Sequence, residues 1–307
     1  MKKVGLALGG GSVRGLAHIG ILRALRIKQR YLPGIVAGTS AGSIIATLYA
    51  AGMPQSEMEA IARDFDWFRH ILNLGDTLKN YFENKRGGLV SNEKLGRIIN
   101  ELIDNRRFSD LPIDLAVTAS DIESGRRIIF TSPQTAEQMD REIIEGFLPA
   151  HAPGKPGCET VIISDCEDIG LAVRASCAVP GVFLPVEIQG MRLLDGGLLD
   201  QVPVDIVRSM GAQFAIGVSL SMPMAAHKIT STSSVLSTLG GIMSLQQVRK
   251  SLDLADIGFQ VTGIAERSLI DPKQYDLIDI GFKDMMHWIH DYEKQHPLKK
   301  ILLQKRA

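Results

Sequence analysis

The stretch "GIVAGTSAGSIIATLYAAGM", residues 34–53, has no charged side chain and holds a serine boxed by glycines, Gly38-Thr39-Ser40-Ala41-Gly42. Two readings compete. Twenty uncharged residues are long enough to span a bilayer, and the spacings Gly34/Gly38 and Gly38/Gly42 suit helix packing there. Glycine, serine and threonine dilute the run, however, and Pro33 precedes it. The alternative is a buried strand, "IVAGT", giving way to a helix, "AGSIIATLYAAG". Ser40 then falls on the sharp turn between them, where a side chain projects from the C-terminal edge of a sheet. Gly38 and Gly42 fit that reading, because strand and helix approach too closely there for a Cβ. A serine merely packed in a turn is the plainer alternative.

Composition favours one soluble α/β unit over residues 1–307. The chain is long enough to bury a large core. Its 34 basic residues balance 34 acidic ones, so no nucleic-acid footprint is visible. Met-Lys-Lys followed by "VGLALGGG" reads as a first strand, since too few apolar residues follow for a signal peptide. The three cysteines, Cys158, Cys166 and Cys177, are odd in number and lack C-x-x-C spacing. Reduced thiols and a cytoplasmic location are the expectation, with peripheral contact at the inner membrane face left open. His151, Cys158 and Cys166 are a weak grouping for a metal, so no metal and no cofactor is expected.

Strand and helix signals alternate along the chain. "KVGLAL" is a short apolar run, followed by a helical pattern with Leu16, Ile19, Leu22, Leu25 and Ile27 on one face. Residues 54–80 and 91–104 read as helical, the second opened by Ser91 as N-cap. "DLAVTAS" and "RRIIFTS" are strand-like around the turn "DIESG". "AVRASCAVPGVFLPVEI" is a helix broken by Pro180 and then a strand. "MRLLDGG", "FAIGVSL" and "ADIGFQV" complete the set. Residues 149–165 read as an inserted loop ending in a short strand. The alternation predicts a mostly parallel sheet covered by helices on both faces.

Two further motifs bear on Ser40. "LGGGSVRGLAHIG" follows a strand and opens a helix, as a dinucleotide fingerprint would. It breaks the G-x-G-x-x-G spacing, and no acidic residue follows about twenty positions on; nor does it contain the Gly-Lys-Ser/Thr of a phosphate loop. A row of backbone N–H groups remains, suited to a small anionic oxygen and, beside a serine nucleophile, to an oxyanion hole. A plain tight turn is the alternative. In "LLDGGLLDQVPV", Asp195 closes a strand and is followed by Gly196-Gly197. Asp-Gly alone is usually a turn, but here it offers a base.

These three pieces, in this order, resemble the bacterial patatin-like phospholipases. The family pattern is a glycine-rich loop with Arg or Lys, then G-x-S-x-G, then Asp-Gly-Gly/Ala. Here it reads Gly10-Gly11-Ser12-Val13-Arg14-Gly15, Gly38 to Gly42, and Asp195-Gly196. "RASCAVPGVFLPV" also looks like the family's segment before the aspartate strand, and the likeness runs from residue 3 to about 220, which implies a core over about 3–220 and an extension over 221–307. The resemblance implies a three-layer α/β/α fold and a Ser40–Asp195 dyad that cleaves lipid acyl esters without histidine or metal. It implies an oxyanion hole from Gly10, Gly11 and Ser12, with Arg14 fixing the loop or adding charge. Ser12 stands where a glycine is usual and introduces a Cβ into the loop.

Two other classes stay open at this stage. An α/β-hydrolase triad is permitted by the order Ser40, Asp195, then His227, His287, His290 or His296. A silent scaffold would use the same cleft for binding. Residues 229–248 read as core helix more than as a lid, and the basic tail "PLKKILLQKRA" as a fraying helix more than as a lipid contact. The implied partner is a lipid or ester substrate, and the oligomeric state is not legible.

Overall fold

The computed structural model of the protein describes residues 3–64, 90–147, 159–221, 244–264 and 274–297. Among these, nine strands form one sheet: β1 (Val4–Leu8), β2 (Ile35–Gly38), β3 (Asp114–Asp121), β4 (Arg127–Phe130), β5 (Thr160–Ile163), β6 (Val186–Ile188), β7 (Met191–Asp195), β8 (Phe214–Ser219) and β9 (Ile257–Gln260). The main path runs β5-β4-β3-β2-β1-β8-β9, and β7 pairs with β3 and β6. Strands β1, β2, β3, β8 and β9 are mutually parallel. β4 reverses against β3, and β5 follows β4. The sheet is therefore mostly parallel, with antiparallel pairings at both edges of β3 and between β6 and β7.

The helices are α1 (Leu16–Ile27), α2 (Ala41–Ala50), α3 (Gln55–Asp64), α4 (Glu93–Leu102), α5 (Pro133–Gln138), α6 (Arg141–Phe147), α7 (Ile169–Ser176), α8 (Val204–Ser209), α9 (244–253) and α10 (Asp276–Gln295). Side-chain alternation divides the core in two. Val4, Leu6 and Leu8 of β1 join the layer built with α1, α2, α4, α7 and α10. Ala7, Ile35, Ala37 and Ala116 face the other layer, built with α6, α8 and α9. Central strands wedged between two helical layers are buried on both faces, which is why "VGLAL" and "IVAG" carry no polar side chain.

Residues 34–53 do not form one span. They divide into β2 and α2 at Ser40, and among the described residues no helix is long and apolar enough to cross a membrane. Three local expectations shift. Ile27 lies at the last turn of α1 and is 60% exposed. Asn92, not Ser91, takes the N-cap position of α4, although Ser91 Oγ accepts the Glu93 amide at 3.3 Å. Helix α7 ends at Ser176, already short of Pro180. Residues 65–80, 149–158, 229–243 and 298–307, and with them the greater part of the inserted loop, of the apolar 229–248 segment and of the basic tail, lie outside the described residues.

The chain beyond 220 joins the same core. β9 pairs with β8, and α10 buries Leu277, Ile278, Met285 and Ile289 against α1. Two glycines set that seam reciprocally. A Cβ on Gly20 of α1 would land on the Ile278 carbonyl, and one on Gly281 of α10 would land on the Ala17 carbonyl. On the opposite layer, Arg127 is fully buried between two buried carboxylates. Its Nη1 lies 2.9 Å from Asp200 Oδ2 and 2.7 Å from Asp205 Oδ2, and its Nη2 donates to the Ile144 carbonyl at 3.1 Å. Burial raises the pKa of both aspartates, and the guanidinium opposes that rise.

The glycine seam yields a prediction whose sign intrinsic propensity would get wrong. In a helix interior Gly→Ala ordinarily stabilises by about 1 kcal/mol. Gly20→Ala should instead destabilise by roughly 1–3 kcal/mol, because the methyl group meets backbone that cannot yield locally. A lowered urea midpoint with unchanged slope is the expected result, and a raised midpoint would refute the close approach.

Candidate active site

The geometry around Ser40 follows from strand pairing. β2 pairs in parallel with Asp114–Val117 of β3, and β7 pairs antiparallel with Ala119–Asp121. β4 occupies the other edge, since it too is opposite Val117 and Ala119. Hence β2 and β7 lie end to end along one edge of β3 and run toward each other. Gly38 faces Val117 and Asp195 faces Ala119, so only Thr118 separates the two strand ends.

Thr118 ties both ends down. Its Oγ1 lies 2.8 Å from Thr39 Oγ1, and Thr39 Oγ1 donates to the Asp200 carbonyl at 2.8 Å. Gly196 packs so closely on Thr118 that a Cβ there would collide with its hydroxyl and carbonyl. The Asp195 amide donates to the Ala178 carbonyl at 3.0 Å, which fixes the end of β7 from the other side.

Ser40 itself has φ 51° and ψ −127°, a conformation that L-residues rarely adopt. Its neighbours hold it there. The Ser40 amide donates to Ser176 Oγ at 2.8 Å, and its carbonyl accepts from Ser43 N at 2.8 Å and Ser43 Oγ at 2.6 Å. A Cβ on Gly38 would lie 2.5 Å from Ser43 Cα, and one on Gly42 would strike the Leu8 carbonyl. The turn thus closes only with hydrogen at both positions. α2 begins at the next residue, so its N-terminal partial positive charge lies beside the serine.

Asp195 is 8% exposed. Burial pushes its carboxyl up from the ordinary 3.8 to about 6, opposed by hydrogen bonds from the Ser40 hydroxyl and the Gly197 amide. The latter reaches Asp195 Oδ1 at 2.8 Å. Cys177 lies against the same cluster, with Sγ 3.9 Å from Ser43 Oγ, and burial followed by the charge of Asp195 pushes its thiol upward.

The glycine loop arches over Ser40. A Cβ on Gly10 would lie 3.1 Å from Ser40 Cβ, so the loop backbone touches the serine directly. The Gly9 amide donates to Val218 at 2.9 Å and the Gly10 amide to Gln201 at 3.3 Å, both to carbonyls. The Gly11 amide has no acceptor among the described residues, and Gly11 is half-buried. Ser12 has φ 53°, a left-handed conformation that explains why a glycine suits that position. Arg14 is 8% exposed within the turn Ser12–Gly15, where burial lowers its pKa and its amide closes the turn on Gly11 O at 3.1 Å.

Histidines stand apart from this cluster. His18 is fully buried, with Nε2 2.8 Å from the Gly9 carbonyl, and burial lowers its pKa to about 4. It is therefore a neutral imidazole that holds the loop from beneath. His287, His290 and His296 lie on or just after α10, and among the described residues no histidine hydrogen-bonds to Ser40 or Asp195. His227, His151 and Cys158 lie outside the described residues. Reading the sequence alone missed Ser176, Thr118, His18 and Gln201; all but His18, which lies nine residues from Gly9, act on the site across a long stretch of chain. The serine in "RASCAVPG" was the only local hint of any of them.

A family model described as patatin-like phospholipase matches residues 6–208. An uncharacterized NTE family protein of Mycobacterium bovis is 31% identical over 219 residues, which is 71% of this chain and 49% of the relative. The lysophospholipase NTE1 of Pyricularia oryzae is 27% identical over 225 residues, covering 71% of this chain and 12% of that protein. The chain thus spans about half the length of the mycobacterial relative. Among solved structures, VipD from Legionella pneumophila superposes with a TM-score of 0.51 at 15% identity, over 95% of this chain and 67% of VipD. That likeness is one of fold.

The raised carboxyl predicts a stability trade. Folded Asp195 keeps its proton to about 6, whereas the unfolded chain releases it near 3.8. Between those values the folded state binds more protons, so stability falls as pH rises through the window, and the full penalty applies above it. Asp195→Asn removes the penalty and should stabilise the protein by roughly 2–3 kcal/mol at pH 7.5 but by little below pH 4. Urea midpoints at the two pH values test this, and equal differences at both would contradict it.

Proposed function

The chain belongs to the patatin-like phospholipase family, and on that premise we propose that it is a serine lipid acyl hydrolase working through a Ser40–Asp195 dyad. The observation that carries the reading is geometric: β2 and β7 end one residue apart on β3, so that the Ser40 turn adjoins the buried carboxyl of Asp195, whose pKa burial pushes up to about 6. An ordinary carboxylate is a weak base for an alcohol. Desolvation narrows the gap, and the N-terminus of α2 stabilises the developing alkoxide from the other side.

Ser40 Oγ attacks the ester carbonyl as Asp195 takes its proton. The tetrahedral oxyanion is held by the glycine loop, in which Gly11 supplies the amide with no acceptor of its own. Gly10 and Ser12 flank that amide and complete the loop. Arg14, buried in the following turn, fixes the loop in place. Collapse of the intermediate expels the alcohol, which receives the proton from Asp195 and leaves an acyl-serine. Water then attacks the acyl carbon, gives a proton to Asp195 and releases the fatty acid, and Ser40 recovers its proton. No step in this sequence requires a histidine, metal or cofactor.

The lipid character of the substrate is supported by the family itself and by the homologue named as a lysophospholipase.

A serine-directed fluorophosphonate should attach at Ser40, and Ser40→Ala should abolish both labelling and ester hydrolysis. Asp195→Asn, though folded, should lose roughly 10²–10⁴-fold in turnover, because an amide cannot accept the serine proton. Full hydrolysis by the Ser40→Ala variant would overturn the reading.

The dyad also sets a pH profile. Because the base must be deprotonated, kcat/KM of the wild type should rise with pH through a midpoint at about 6 and then level off. A profile flat from pH 5 to 8 would exclude Asp195 as the base.

A further inference from the structure

Gln201 is the residue that the reaction scheme leaves unused, and it touches both halves of the site. Its neighbours are fixed: Asp200 is fully buried against Arg127, and Val202 is fully buried in the core. From that anchored position Gln201 grips Gly10 twice. Its carbonyl accepts the Gly10 amide at 3.3 Å, and its side-chain Nε2 donates to the Gly10 carbonyl at 2.9 Å. Its Oε1 packs against Gly197, where a Cβ would collide with it and would lie 3.1 Å from Asp195 Oδ1. A Cβ on Gly10 would meet Gln201 Nε2 and Ser40 Cβ, both at 3.1 Å.

The consequence lies in the peptide unit between Gly10 and Gly11. A trans peptide is planar, so its N–H points opposite to its C=O, and no peptide among the described residues is cis. Holding the Gly10 carbonyl toward Gln201 therefore aims the Gly11 N–H away from Gln201. A hydrogen bond accepted by a peptide carbonyl also polarises the N–H of the same unit and makes it a stronger donor. We propose that Gln201 is a positioning residue for the oxyanion donor: its side-chain amide orients and polarises the peptide whose Gly11 N–H receives the tetrahedral oxygen. This inference rests on the hydrolase reading above. Gln201 does not touch the reacting atoms and acts only through the Gly10–Gly11 peptide.

The role separates from a purely structural one by where the loss appears. Gln201→Met keeps the length and loses the donor, and Gln201→Glu keeps the shape and loses it at neutral pH. Hydrolysis of p-nitrophenyl butyrate by each variant should show kcat lowered by about 10- to 100-fold, less than the loss of a whole oxyanion donor, with KM within about threefold. Inhibition by a trifluoromethyl ketone, whose hemiketal mimics the tetrahedral oxyanion, should weaken by the same factor as kcat/KM. Urea midpoints monitor folding, and the Glu variant decides if the Met variant does not fold.

Folded variants with kcat within threefold of wild type would overturn the inference. A loss carried by KM alone, or an unchanged ketone affinity alongside a lowered kcat, would do the same. Failure of both variants to fold would assign Gln201 a structural role instead. Wild-type protein that neither hydrolyses the ester nor labels at Ser40 would overturn the hydrolase reading, and this inference with it. Active wild type with unaffected variants overturns the inference alone.

Discussion

Everything at the site depends on two strands sharing one edge of β3. β2 uses the first half of that edge in parallel and β7 the second half in antiparallel, so their C-terminal ends face each other across Thr118. A strand end can turn sharply only if nothing occupies the space beyond it. Here the space beyond each strand is the other strand's turn, and both turns are built from glycine. Steric fit along one edge thus forces a serine and an aspartate into contact, without any element dedicated to bringing them together.

That contact is energetically uphill in two respects, and the surrounding structure absorbs both. A non-glycine residue at positive φ costs about 1–3 kcal/mol, and it persists only where neighbours over-determine it. Ser176, Ser43 and the glycines at 38 and 42 supply that determination. The buried charge of Asp195 is a second cost, carried by hydrogen bonds from Ser40 and Gly197. Behind both, Arg127 fixes Asp200, and the Asp200 carbonyl receives Thr39. A buried ion cluster on one layer therefore holds the turn that the serine occupies.

What could be read in the sequence was what repeats locally. Strand runs such as "VGLAL" and "IVAG" are apolar because both faces are covered, and the alternation of strands with helices led to the mostly parallel sheet. Ser40 and Asp195 were legible because glycine spacing exposes the turns they sit on. Pairing direction was not: nothing within "MRLLD" says that it reverses against β3, since register is a property of two segments and not of one. Arg127 looked like any charged residue at a strand edge, and only the fold brings Asp200 and Asp205 to it. Ile27 is exposed although it keeps the helical period, because periodicity does not say which turn of a helix is covered. Ser176 and Gln201 act through backbone groups far away in the chain, and that kind of contact leaves no pattern in composition or spacing.

The pocket that buries Asp195 also buries Cys177, and the same desolvation has opposite chemical consequences for the two. A carboxylate stripped of water becomes a stronger proton acceptor. A thiol stripped of water keeps its proton, and it is the thiolate that reacts with electrophiles. Sulfur is intrinsically the better nucleophile, so on the proposed mechanism an exposed cysteine at this position would compete with Ser40 for the acyl group and form a thioester. It would also open the site to peroxide and alkylating agents. One low-dielectric environment raises the basicity of the carboxylate and silences the sulfur beside it.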